Sequence, residues 1–462
     1  MPTEQEFASD LRVDFLELIS ASGQVIDLSQ NFVLMNIYED LFRANMTCDL
    51  VLNDSINMPY KIPILGEEYL NFTLTSKSVD GSEEYAGPMY ITSISKRTVV
   101  KERQQIYMIH GTSECGMVNQ NMRVNQAFRG KKISEIVDTI LVDYIDYGGV
   151  GNEFVIEDTV GIENIVIPNW RPHTAIHWLC KRAINKNKVP NYLFWESNGV
   201  SYFKSVDALL DTPVKHKFLF SPTGSKSQKV EQLAQGRALL DDLQILKQFN
   251  TLTNITNGMY ASKLITHDIV RKTINQQTYG LQEAYDPHVH HTDKYMPISM
   301  SDTDYEVPER NTYAPQDDIQ DVNSGDSLQT YFDSRVIFHP KHNQMYAKNV
   351  NDFYDNGVER WRLKRNALIQ SLDQIKLKIE FPGLPFLHVG DTIDLLVPSG
   401  ERVVEQKPGM IKNQDDLIDK FLSGVYIITA LKHTYDWNAG RLKYTMVAEV
   451  TKDALASAPR KV

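Results

Sequence analysis

Apolar and polar residues alternate along most of the chain, the period-two pattern of strands with one buried face. Residues 11–30 place Leu11, Val13, Phe15 and Leu16, then Val25, Ile26 and Leu28, around Ser22-Gly23. That predicts two strands joined by a turn. Residues 47–53 and 59–76 predict further strands, and 89–95 with 104–112 a hairpin joined by the charged stretch Lys96–Arg103. The first ~115 residues thus predict an antiparallel sheet or barrel.

The period changes near Val124. Ile133, Ile136, Val137, Ile140 and Leu141 recur at helical spacing and predict one face of an amphipathic helix. A second helix is expected after Trp170, with Pro172 in its first turn and Ile176, Leu179, Cys180, Ala183 and Ile184 inward. Residues 191–205 predict a hairpin turning at Asn198-Gly199, the strongest short-range hairpin signal. Strand character returns at 250–280, rich in Thr, Ile and Tyr. Residues 358–372 predict a basic helix. Strands follow at 374–381, 388–397, 424–432 and 441–450, with a helix candidate around Asp415–Phe421.

Charge sharpens this picture at one place. The 462 residues carry a net charge of −11. Residues 281–330 hold eleven acids and two bases, so this one segment accounts for −9 and the remainder is nearly balanced. It also keeps Tyr285, Tyr295, Tyr305 and Tyr313, and a purely solvating stretch has few aromatics. It is therefore expected to be an irregular arm that orders against a partner. The overall acidity argues against a protein that grips nucleic-acid phosphates. No apolar run reaches the ~18–20 residues that span a bilayer, and the N-terminus lacks the basic start and apolar core of a secretory signal. Cys48, Cys115 and Cys180 share no metal-ligand spacing and are expected to be reduced, buried thiols.

No catalytic constellation emerges from motif spacing. TGSKS at 223–227 lacks the first glycine and the Gly-Lys pair of a phosphate-binding loop, and GGVG at 148–151 is not followed by a helix pattern. His173 and His177 have the i, i+4 spacing of a zinc protease, but Thr174 stands where the general-base Glu is needed. His288, His290 and His291 beside Asp286 and Asp293 could ligate a metal, yet one acidic loop rarely presents ligands rigidly. Asp241-Asp242 and Asp415-Asp416 are adjacent and point apart in regular structure, unlike a glycosidase pair. The expectation is a protein with no enzymatic activity, cofactor or metal.

An internal repeat carries more information. GPMYITSISKR (87–97) aligns without gaps on GVYIITALKHT (424–434), so Gly87 meets Gly424, Ile91 meets Ile428 and Thr92 meets Thr429. Upstream, LGEEYLNFTL (65–74) resembles VGDTIDLLVP (389–398), with Gly66 on Gly390 and Glu67 on Asp391. Gly66, Gly87, Gly390 and Gly424 are thus expected to mark a β-domain present twice. A chain with two copies of one domain can form a trimer with six quasi-equivalent positions, the geometry that mates a threefold object to a sixfold one.

The run IYEDLFRANMTCDLVLND (37–54), then IPILGEEYLNFTL (62–74) and the Gly87 hairpin, resembles the N-terminal domain of the baseplate hub proteins of contractile-tailed bacteriophages. VNQAFRGKKISEIVDTIL (124–141), IPNWRPHTAIHWLCKRA (167–183) and NYLFWES (191–197) resemble that family's middle domain. NGMYASKLITHDIVRKT (257–273) and LSGVYIITALKHTY (422–435) resemble its later strands. The fold class this implies is mainly β with α+β insertions: two similar antiparallel β-barrel (tube-type) domains, a small α+β middle domain and an extended acidic segment. The expected divisions are 1–120 for the first barrel, 121–215 for the middle domain, 216–280 and 371–462 for the two parts of the second barrel, and 281–370 for an irregular acidic insertion. The second barrel is expected to borrow strands from 250–280.

The resemblance further implies a structural hub in the virion tail baseplate, assembled in the host cytoplasm. Its partners would be itself (a homotrimer), the hexameric tail tube protein, the trimeric central spike protein and other baseplate proteins. Neither a membrane nor sequence-specific nucleic acid is implied, with the lumen left as a passage for DNA. The related hub part of type VI secretion spike proteins is the alternative. Those chains continue into a spike barrel and β-prism, whereas this sequence stops at Val462 after its last expected strand.

Overall fold

The computed structural model describes residues 11–61, 64–78, 81–101, 104–146, 152–221, 236–269, 271–281, 331–341, 357–399, 418–438 and 441–454. Seven strands come first: β1 (Leu11–Ile19), β2 (Val25–Asp27), β3 (Phe32–Asp40), β4 (Thr47–Asp54), β5 (Tyr69–Ser78), β6 (Gly81–Lys101) and β7 (Gln104–Ser113). They pair in the order β3-β4-β7-β6-β5-β1-β2, each neighbour antiparallel. The stretch 59–76, expected as one strand, instead opens with a helical turn at Met58–Lys61 and enters β5 only at Tyr69. β4 shows why the strands form: Cys48, Leu50 and Leu52 alternate inward against Asp49, Val51 and Asn53.

The middle region is α+β, as its spacing predicts. β8 (Val124–Lys131) pairs with β10 (Glu163–Trp170), and β9 (Glu153–Ile156), β12 (Val200–Ser205) and β11 (Tyr192–Ser197) make a three-stranded sheet. The helix Ile133–Ile140 continues as a π-turn to Ile145, and a second helix spans Pro172–Cys180. Ile136, Val137, Ile140, Ile176 and Leu179 from these helices fill a separate core against Phe194 and Phe203. The β11–β12 turn has both Asn198 and Gly199 at positive φ, as a two-residue hairpin requires.

Seven more strands build a second sheet: β13 (His216–Phe220), β14 (Ala238–Leu240), β15 (Asp242–Lys247), β19 (Ile375–Pro382), β20 (Thr392–Leu396), β21 (Gly424–Asn438) and β22 (Arg441–Lys452). Their order is β15-β19-β22-β21-β20-β13-β14. Position for position this matches the first sheet, except that β13 runs parallel to β20 and to β14, where β1 is antiparallel to β5 and β2. The strands borrowed from upstream are 216–220 and 238–247, not 250–280. Residues 251–257 are helical because the Asn250 side chain accepts from Thr253 N–H and caps them. β16 (Ala261–Asp268) and β17 (Thr273–Gly280) pair instead with β18 (Val336–Lys341) in a sheet of their own. β18 also gives regular structure to a segment expected to be irregular. The helix Val358–Leu372 packs Trp361, Leu363 and Ala367 on this small sheet. The acidic stretch 282–330 and the helix candidate at 415–417 lie outside the described residues; Ile418 bridges to Pro398 and a turn follows.

Candidate functional site

The two seven-stranded sheets are fused edge to edge. β21 pairs antiparallel with β3, Ala430 facing Asp40, Lys432 facing Tyr38, Thr434 facing Asn36 and Tyr435 facing Met35. β21 uses one edge for two partners: residues 424–427 meet β20, and 430–436 meet β3. An open cleft of about 480 Å³ runs along the seam. Acidic (Asp40, Asp49, Glu449) and basic (Arg43, Lys378, Lys432) side chains both line it, so it does not concentrate one sign of charge as a substrate-steering cleft does.

The residues marked by the repeat sit beside this seam and at the matching place in the first sheet. Gly87 faces Phe72 on β5, and Gly424 faces Leu395 on β20. Four residues on, Ile91 N–H donates to Glu68 O (3.0 Å) and Ile428 N–H to Asp391 O (2.9 Å). Each sheet then bulges by one residue, at Thr92 between β6 and β7 and at Thr429 between β21 and β22. In each bulge the threonine hydroxyl donates across the ladder, Thr92 to His110 O and Thr429 to Glu449 O, both at 3.1 Å. Gly66 (φ +100°) and Gly390 (φ +93°) both lie in the turn before the partner strand, a backbone that side chains rarely adopt. A carboxylate closes each turn: Glu68 accepts from Gly66 N–H (2.7 Å) and Leu65 N–H, Asp391 from His388 N–H (2.7 Å). Glu68 rather than Glu67 therefore does what Asp391 does. The same one-residue offset continues into the strand, where Phe72 faces Gly87 as Leu395 faces Gly424, so Gly66 and Gly390 share the turn without being strict counterparts.

A buried acid locks the seam from beneath. Glu39 on β3 is fully enclosed. Its carboxylate accepts from Tyr85 hydroxyl (2.9 Å), Ser197 hydroxyl (2.6 Å) and Val389 N–H (3.2 Å). His388 Nδ1 is 3.5 Å away and His433 Nε2 3.8 Å, contacts of charge rather than aligned hydrogen bonds. Burial alone would raise the carboxyl; the charge of His388, with His433 and the Ser197 hydroxyl, outweighs it and holds Glu39 at about 2. Burial works against charging His388, but Glu39 raises it above the usual imidazole range, while burial pushes His433 down to about 4. The cluster sets one carboxylate beside two imidazoles that their surroundings push in opposite directions. It draws its donors from the first sheet, the β11–β12 hairpin and the second sheet together.

Next along β11, Glu196 accepts from Met46 N–H (3.1 Å) and from the Ser113 hydroxyl, tying the middle region to the first sheet. Burial pushes its carboxyl up to about 7, against those bonds. On the other side, Trp195 stacks on Tyr202 and lies against the Gly390 turn. β11 is thus a strut across both sheets.

The other candidates resolve as follows. His173 and His177 flank Phe194 at 5.5 and 5.9 Å between ring centroids, and burial holds His173 down at about 3. His173 is thus a neutral core residue. Among the described residues no three His, Cys, Asp or Glu side chains gather as a metal site. His288, His290, His291, Asp286 and Asp293 lie outside the described residues. Cys48, Cys115 and Cys180 are buried and unpaired, and burial pushes Cys48 and Cys180 up to about 12.

One constellation was invisible to motif spacing. Ser95 Oγ lies 2.7 Å from His110 Nε2, and His110 Nδ1 lies 2.6 Å from Asp49 Oδ1. These are neighbours across β6, β7 and β4, a serine–histidine–aspartate relay on an open sheet face. A hydrolase also needs N–H donors aimed at the developing oxyanion. In a regular ladder the strand N–H groups lie in the plane of the sheet rather than out of its face.

The sequence matches no family model and no curated protein. Among solved structures, the fold matches a tail protein from Neisseria meningitidis MC58 (TM-score 0.51, 9% identity, 95% of this chain and 96% of that one). It also matches the 43 kDa tail protein of prophage MuSo2 from Shewanella oneidensis (TM-score 0.51, 11% identity, 96% and 99%). The chain shares its fold over nearly its whole length with these tail proteins.

Proposed function

We propose that this chain is a structural hub at the centre of a phage baseplate, a trimeric ring that joins the hexameric tail tube to the trimeric central spike. The observation that carries the reading is the pair of seven-stranded sheets with one strand order, the same hairpin register as far as Ser95 and Lys432, and one threonine-bulge bond in each. Three such chains present six similar sheets around an axis, which suits a sixfold tube on one rim. The odd, single-copy elements, β8–β12 and β16–β18, suit a threefold partner. The tail-protein fold supports the same assignment. Electron microscopy of the purified protein checks it: threefold rings with six similar lobes on one rim are expected, and class averages without rings contradict it.

The proposed role includes no catalysis. The Ser95–His110–Asp49 relay is read as a polar cross-strand ladder. A turbidity assay on peptidoglycan should show no clearing; clearing that disappears in Ser95→Ala would overturn this.

A further inference from the structure

Each sheet has an edge site that the other sheet fills inside the chain, and one copy of each half of that joint is left open. In the filled joint, residues 430–436 of β21 bind the outer edge of β3. The counterpart of β21 is β6. Its edge is taken by β5 only as far as Tyr90, and among the described residues nothing pairs with that edge from Ser93 to Lys101. The counterpart of β3 is β15, whose single described partner is β19.

We infer that the open β15 edge of one chain pairs antiparallel with the open β6 edge of a second copy, repeating between chains the β3–β21 joint made within each chain. This rests on the trimeric hub reading and adds which edges meet and in what register. The ladders supply the register. Ser95 opposes Met108 where Lys432 opposes Val447, and Thr98 opposes Ile106 where Thr434 opposes Thr445. Lys247 opposes Lys376 where Tyr38 opposes Thr47, and Gln244 opposes Lys378 where Asn36 opposes Asp49. Carrying over the intrachain pairs sets Ser95 against Lys247 and Thr98 against Gln244.

Three independent features agree. First, β6 has one more residue than β21 between its two anchor positions, with Lys96 at φ +52°. β15 likewise has one more than β3, at the Leu246 irregularity. The two insertions fall opposite each other, so the register continues unbroken. Second, the open edges expose apolar side chains: Val99 is 67% exposed and Ile245 45%, whereas Ile37, the covered counterpart of Ile245, is 0% exposed. The register brings Val99 onto Leu243. Third, it brings Lys101 onto Asp241, an opposite-charge pair. Open edges of this kind are templates for a second strand, and a head-to-tail pairing closes into a ring when its rotation permits.

The test is oxidative cross-linking of the full chain carrying Thr98→Cys and Gln244→Cys. Both positions are exposed and all three native cysteines are buried. Facing residues in an antiparallel pair bring Cα atoms to ~4.5–5.5 Å, within disulfide reach. A non-reducing gel should show a ladder ending at three chains, and Val99→Cys with Leu243→Cys should repeat it if the first variant folds poorly. Thr98→Cys with Leu246→Cys, two residues out of register, should not cross-link. Three-chain particles that cross-link at neither aligned pair would overturn this joint and leave the hub reading intact. Equal cross-linking of the offset pair would overturn the register. A chain that stays monomeric and uncross-linked would overturn both.

Discussion

β3 and β15 hold the same place in their sheets and end in opposite surroundings. β3 is covered by β21, with Ile37 and Met35 buried and Glu39 enclosed by donors from three regions. β15 carries Leu243 and Ile245 at the matching positions, and Ile245 stands exposed. Strand pairing and sequence type are alike at the two sites; the neighbour differs. At these matched positions burial therefore follows what packs around the strand, not local sequence preference alone. The same comparison separates the residues that hold one chain together from those free to act between chains.

The strongest way to break the comparison is to remove the acid that only the covered site has. Glu39→Ala should destabilise the chain by about 3–5 kcal/mol in urea unfolding, because it leaves the Tyr85 and Ser197 hydroxyls and the Val389 N–H buried without their acceptor. Next, Ile37→Ala should cost ~2–5 kcal/mol as a buried large-to-small change, and Ile245→Ala less than about 0.5 kcal/mol in the isolated chain. Equal costs would mean the two edges are alike.

The strut β11 responds to pH. A carboxyl raised to about 7 when folded favours the native state fully below its ordinary 4.5, and that stability is lost as pH rises through 7. Wild-type stability should fall between pH 5 and pH 8 by on the order of 3 kcal/mol at most from this group. Glu196→Gln should shrink the fall, read as a smaller drop in Tm across that range, and leave the part that His388, raised by Glu39, adds as pH rises past the ordinary imidazole value. Glu39 has the opposite sign: its contribution is present above 4.5 and disappears as pH drops towards 2.

Smaller effects compare the two hairpins directly. Gly66→Ala and Gly390→Ala each place a side chain in a left-handed backbone, about 1–2 kcal/mol of strain. Gly390→Ala should cost more, since its Cβ would meet Trp195 Cζ2 at 3.2 Å while nothing among the described residues comes within 4 Å of a Cβ placed on Gly66. Thr429→Val should cost about 1 kcal/mol through its lost bulge bond, and the exposed Thr92→Val less.

Much of this was legible in the sequence where structure depends on short-range chemistry. The Asn198-Gly199 hairpin, the Pro172 helix and the 133–141 helical face each follow from neighbouring residues. Gly87 and Gly424 stand out in the sequence because a similar apolar run with a threonine follows each. β3 is hard to read from sequence because it is buried on both faces, with the polar Asn36 on one and Glu39 on the other breaking the apolar alternation, and their partners come from distant strands. β15 was missed because an uncovered edge strand carries no clean alternation. Residues 250–280 carry strand-forming residue types throughout, but periodicity cannot say which sheet a strand joins, and the Asn250 cap turns the first part into helix. The Ser95–His110–Asp49 contact joins three strands and leaves no spacing to detect.

Light scattering on the purified full chain tests the central claim most directly. Two equivalent sheets per chain, one joint closed internally and one left open, predict a particle of three times the 52.9 kDa chain mass, alone or with its spike partner. A stable monomer in the presence of that partner, or a particle of six chains, would contradict the account.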